Sequence, residues 1–183
     1  IPIYCASFTP AGLAASAEVA DGVFPIWLSP QQGGLIEDHL APGFARRSDG
    51  RTRADFDVAP TVMVAVGDDV EACRRPVKEM LALYVGGMGA RDRNFYNRYT
   101  RDMGYEAAAV AIQDLFLAGR REEAVQAVPD ALVDEIALVG PLARIRERAA
   151  SWKRLGAEGR VGTLILGMRQ PEHLGAIAQI LLG

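Results

Sequence analysis

Histidine and cysteine are scarce, with two of each in 183 residues. His39 falls in a loop stretch and His173 in the last helical stretch. Neither belongs to a nucleophile–His–acid set, so an activated serine or cysteine is not the expected chemistry. Cys5 lies in an apolar strand-like run and Cys73 on a helical apolar stripe. They show neither metal-ligand spacing nor a disulfide pattern, which fits a reducing cytoplasm and no metal centre. An excess of positive charge is also missing: the net charge is −3. Neither nucleic acid nor an anionic membrane is therefore an expected partner. No apolar run reaches the length of a membrane span, and no signal peptide is visible.

What is present is ordinary for a soluble globular domain: 50% hydrophobic residues and 23% charged. The length suffices for one domain with a real core. Four runs read as buried strands, at residues 1–6, 23–28, 61–66 and 161–166, with helical periodicity between them and after the last. A chain that opens directly on a core-type strand reads as part of a longer protein, because termini usually lie on the surface.

The first βα turn is the chemically useful stretch. Ala6 ends the first strand, Ser7, Phe8 and Thr9 turn, and Leu13, Ala17 and Ala20 recur at helical spacing. Free N–H groups and the helix dipole at such a point attract a phosphate. The same residues also read as a plain cap, with Thr9 as N-cap and Pro10 in the first turn. Residue types alone weigh toward the cap. Asp21-Gly22 is expected to stop the helix, with Gly22 in the left-handed conformation.

Further along, residues 28–34 form a loop by composition and 35–40 a short helical segment. The arginines at 46, 47, 51 and 53 read as a solvated connection rather than an anion site. Asp69 caps a helix whose stripe is Val70, Cys73, Val77, Met80, Leu81 and Tyr84. Pro76 should kink that helix or mark its start. Gly86, Gly87 and Gly89 are expected to break it. The interleaved basic and aromatic residues of 91–101 suit an anionic, planar ligand, or else a plain helix-to-helix loop. The glycines are no P-loop, lacking its lysine and preceding strand. A helix starting at Pro129 is expected to carry Leu132, Ile136 and Val139. Leu142, Ile145, Ala149 and Trp152 mark another, and Pro171 begins the last.

Pro2-Ile3-Tyr4, the small-residue turn and Ala17-Glu18-Val19-Ala20-Asp21-Gly22-Val23 resemble the fifth strand and following helix of luciferase-like monooxygenases. Gly86-Gly87-Met88-Gly89-Ala90-Arg91, Asn94-Phe95-Tyr96-Asn97, Ile112-Gln113-Asp114-Leu115, Val128-Pro129-Asp130 and Val139-Gly140-Pro141 resemble the branch that uses the deazaflavin coenzyme F-420. The resemblance implies an α/β fold: the C-terminal half of a TIM barrel, four βα units over residues 1–183, with a helical insertion at 86–139. It implies hydride transfer between coenzyme F-420, or alternatively FMN, and a small organic substrate. A non-catalytic flavin-binding or structural protein is the third reading. Ligands of a barrel sit at C-terminal strand ends. That rule nominates Ser7, Phe8 and Thr9, then Trp27 and Ser29, Gly67 and Asp68, and Met168 and Arg169. The family grips its cofactor phosphate at the first of these, so Ala6, Ser7, Phe8 and Thr9 are the expected cofactor contacts. Phe8 and Thr9 depart from the family's small residues there, which leaves backbone donors as the main grip. No catalytic residue is nominated. A missing N-terminal half, or a second copy of the chain, is expected to cover the open barrel.

Overall fold

The computed structural model describes residues 1–183, the side chains of residues 33–35 excepted. It has two units, one formed by Ile1–Val64 with Leu142–Gly183 and the other by Ala65–Pro141. The helical segment expected at 35–40 falls inside the longer helix Gly33–Arg46, which also takes the last two residues of the loop expected at 28–34.

The first unit begins with β1 (Tyr4–Ala6), α1 (Pro10–Val19) and β2 (Gly22–Phe24). The two strands are parallel, in the register Tyr4↔Gly22, Cys5↔Val23 and Ala6↔Phe24. Leu13 and Ala17 are buried on α1, and Ala20 just beyond it. α2 (Gly33–Arg46) packs across α1. The crossing is close: a Cβ on Gly43 would stand 2.0 Å from the Ala14 carbonyl oxygen. A 3-10 turn at Arg53–Asp55 leads into β3 (Asp57–Val58), which adds to β2 in parallel. β4 (Thr61–Val66) follows almost at once, and its first residue bridges Ile26. After α8 (Leu142–Ala157), β6 (Ile165–Met168) pairs in parallel with β4. A 3-10 turn at Pro171–His173 and α9 (Leu174–Leu182) complete the unit.

The second unit takes the end of β4 into α3 (Val70–Gly87), which Asp69 caps by accepting from the Ala72 amide at 3.1 Å. Then come α4 (Phe95–Asp102), α5 (Glu106–Leu117), α6 (Arg121–Gln126), α7 (Asp130–Ile136) and β5 (Ala137–Gly140). The Gly67 amide, just past β4, donates to the Gly140 carbonyl at 3.2 Å. Cys73, Val77, Leu81, Ala82 and Val85 form the buried stripe of α3. Arg74 anchors α7 through Asp134, with Nη2–Oδ2 at 2.6 Å, and through Asp130 at 2.8 Å.

Several sequence expectations need correction. The architecture is not four βα units of a half-barrel: it has two open three-stranded sheets, ordered β1-β2-β3 and β5-β4-β6. β3 was not foreseen, because two residues carry no readable period. β5 was absorbed into the helix expected through Val139; α7 instead stops at Ile136, and Gly140 (φ 112°) ends the strand. Gly22 is not left-handed. It lies in β2, where a Cβ would meet the Tyr4 ring at 2.3 Å. As expected, α3 ends within the glycine run, at Gly87, with Gly89 left-handed just beyond (φ 141°). Gly86 and Gly87 are its last residues, and Cβ atoms there would fall 2.5 and 2.4 Å from Phe116. Pro76 lies inside α3 and does not mark its start.

Candidate functional site

Because β1 and β2 are parallel neighbours, the turns that follow them leave the sheet at one edge. Ala6 is exposed at the end of β1, and Ser7, Phe8 and Thr9 are half-buried. Thr9 does cap α1: its Oγ1 accepts from the Gly12 amide at 3.2 Å, and its carbonyl accepts from the Leu13 amide at 2.8 Å. Pro10 has no N–H to offer. Among the described residues the Ala11 amide is thus left without a partner in the first turn, at the positive end of the helix dipole. Ser7 leans over the same turn. A Cβ on Gly12 would stand 2.0 Å from Ser7 Oγ and 3.0 Å from Thr9 Oγ1, so only glycine leaves room for both hydroxyls. The cap and the anion-binding reading of this turn are therefore compatible: the cap consumes one amide and leaves another. Sequence reasoning missed Ala11 and Gly12, although small residues directly after Thr9-Pro10 were the available signal.

After β2 the chain passes through Trp27, whose φ is +50°. A bulky residue rarely adopts that conformation, and such strain gathers at functional sites. Its side chain is buried. Ser29, also buried, is committed to its own turn: its Oγ accepts from the Gln31 amide and donates to Gln31 Oε1, both at 3.2 Å. Met168 closes β6, with Arg169 next. Gly67 and Asp68 belong to the second unit, past the end of β4.

The basic stretch before β3 is not simply a solvated connection. The Arg47 side chain is only 2% exposed. Its Nη1 donates to the carbonyls of Ala17 and Ala20, at 2.9 and 2.7 Å, and so caps the C-terminus of α1. Asp49 grips the same guanidinium and has its pKa lowered by that hydrogen bond. Arg53 makes a two-point pair with Glu37 and donates to the Phe56 and Arg160 carbonyls. These arginines hold the scaffold beneath the turn.

A larger cleft of about 380 Å³ lies elsewhere in the first unit, lined by apolar residues including Trp152, Val161, Leu164 and Leu181. It does not include residues 6–9. Among the described residues no cluster of histidine, cysteine and carboxylate could hold a metal ion. No helix among the described residues is long and apolar enough to cross a membrane.

The profile of the luciferase-like monooxygenase family matches residues 1–159. A Mycobacterium tuberculosis protein assigned as a coenzyme F-420-dependent oxidoreductase is 39% identical over 163 residues, which are 89% of this chain and 47% of that protein. The coenzyme F-420-dependent tetrahydromethanopterin reductase of Methanopyrus kandleri has a similar fold, with a TM-score of 0.70 at 19% identity. That match covers 97% of this chain and 48% of the reductase. An F-420-dependent secondary alcohol dehydrogenase matches with a TM-score of 0.62 at 12% identity, over 97% of this chain and 49% of its own. The chain thus spans about half the length of these relatives. The resemblance was expected to be to a C-terminal half-barrel alone. That restriction is corrected: the profile match takes up nearly the whole chain, and the strands form two open sheets.

Proposed function

We propose, for a chain that belongs to the luciferase-like monooxygenase family, that it serves hydride transfer between coenzyme F-420 and a small organic substrate. The F-420-dependent assignment of the 39%-identical relative supports this reading. The observation that carries it is the Ala11 amide, without a partner among the described residues, in the same first turn of α1 that the Ser7 hydroxyl overhangs at Gly12. That pairing fits a phosphate ester, such as the one in the tail of a deazaflavin. When bound, the deazaflavin ring supplies the hydride chemistry. The chain's part is to hold it. Ala11 N–H and Ser7 Oγ–H donate to the phosphate, Thr9 keeps the helix start in place, and Ala6 lets the ligand approach the backbone. Phe8 gives the turn its apolar side. FMN is the second reading, favoured by the monooxygenase membership of the family, and its phosphate would use the same donors.

Fluorescence titration of the purified protein with F-420, and separately with FMN, tests this. Saturable binding of F-420 is expected. Thr9→Asp keeps a good cap but places a carboxylate at the phosphate, so affinity should fall about tenfold or more. FMN binding without F-420 binding would favour the second reading. Binding of neither would leave a non-catalytic protein.

A further inference from the structure

The second unit carries a cleft of about 320 Å³ lined by Arg91, Asp92, Asn94, Asn97, Arg98 and Arg101. Its floor is rigid. Asn97 is 3% exposed. Its Nδ2 donates to the carbonyls of Val85 and Ala109, at 3.2 and 2.7 Å. Asn94 caps α4 by accepting from the Asn97 amide at 3.0 Å, and its Nδ2 donates to the Tyr84 and Val85 carbonyls, both at 2.9 Å. The end of α3 and the start of α4 are thereby tied together by two buried amides.

The charge on this floor is the unusual part. Arg101 Nε donates to Asn97 Oδ1 at 2.8 Å. A neutral amide therefore orients the guanidinium, with the Nη2 group turned to neither partner. The carboxylate nearest to it, Glu106, is 4.0 Å away and 77% exposed. The Arg98 side chain makes no hydrogen bond or ion pair among the described residues, its amide alone donating to the Asn94 carbonyl at 3.1 Å. Arg91 pairs with Asp114 through Nη1, and its other side-chain nitrogens have no partner among the described residues. Elsewhere in the unit, Arg74, Arg75 and Arg120 are each held by carboxylates. Of the three arginines that line the cleft, Arg91 and Arg101 share carboxylates at its rim, and Arg98 is left without a carboxylate partner among the described residues.

We propose that this cleft is an anion site, distinct from the cofactor turn, which takes a multiply charged oxyanion of phosphoryl or polycarboxylate type. Forked guanidinium donors match both groups, and a pre-oriented Arg101 loses less side-chain freedom on binding. The attraction weakens with salt, since the arginines are exposed.

Backbone amide NMR of the full chain tests the site, with inorganic pyrophosphate in one series and citrate in the other. Saturable shifts confined to residues 91–101 are expected, and the tighter of the two probes names the kind of anion. Arg98→Gln combined with Arg101→Gln should weaken binding about tenfold or more, with an unchanged melting temperature. Thr9→Asp should leave these shifts as they are. Failure of both probes to saturate, or equal affinity in the double variant, overturns the site.

Discussion

Tyr4 Oη donates to Asp57 Oδ2 at 3.0 Å across 53 residues of chain, and Thr163 Oγ1 donates to the same oxygen at 2.8 Å. One carboxylate thus joins the start of β1, the start of β3 and the segment before β6. These are the N-terminal strand ends, the edge where βα folds keep residues for stability. Tyr4→Phe should cost about 1 kcal/mol, and Asp57→Ala about 1–3 kcal/mol because it strands two hydroxyls. Urea denaturation of the two variants measures both.

The same pair gives an alkaline dependence. The hydrogen bond to Asp57 raises the Tyr4 pKa above its usual value, and burial adds to the effect. The folded state thus favours the neutral phenol. Its contribution is full below the unfolded pKa of about 10 and is lost as pH rises through the higher folded value. Tyr4→Phe should flatten the stability profile in that range; an unchanged profile would count against the linkage.

Gly22→Ala should destabilise by about 1–3 kcal/mol through overpacking, since its Cβ would meet the Tyr4 ring at 2.3 Å and the Asp57 carbonyl oxygen at 2.7 Å. A left-handed glycine would respond differently: asparagine would rescue it. Here asparagine should be worse than alanine, as thermal denaturation will report.

Arg47→Ala should cost about 1–3 kcal/mol by leaving the Ala17 and Ala20 carbonyls without their donor. Lysine should recover part of this and not all, because it lacks the fork that also grips Asp49. Calorimetry of the two variants decides.

Acid should loosen the second unit through Asp130. Its pKa is lowered, chiefly by the hydrogen bond from Lys78 and further by the charges of Lys78 and Arg74. That contribution is present above the unfolded carboxylate pKa of about 3.9 and is lost as pH falls through the folded value. Asp130→Asn should make stability less dependent on pH in the acid limb.

The legible elements were those with a period long enough to read. β4 and α3 follow from an apolar run with β-branched Val62, Val64 and Val66 at alternate positions, and from a buried stripe behind Asp69. The Thr9 cap was readable because its geometry depends on adjacent residues. β3 and β5 escaped because short strands take their identity from partners distant in sequence. The role of Arg47 was hidden for a similar reason: an arginine among aspartates looks solvated until the carbonyls it reaches, 27 and 30 residues earlier, are brought beside it. At the turn, the residue types were visible. The role open to the Ala11 amide was not, since it depends on where Thr9 and Pro10 direct the neighbouring donors.

The glycines that end α3 impose a joint constraint on substitution. At position 87 an added Cβ would strike the far edge of the Phe116 ring, at 2.4 Å. At position 86 it would strike the Cβ of Phe116, at 2.5 Å. A smaller partner therefore answers one intrusion and not the other. Gly87→Ala combined with Phe116→Ala should be more stable than the sum of the two single changes implies, whereas Gly86→Ala combined with Phe116→Ala should show little such relief. Position 87 is thus free to vary in step with 116, and position 86 is fixed by the approach of two backbones, whatever side chain stands opposite.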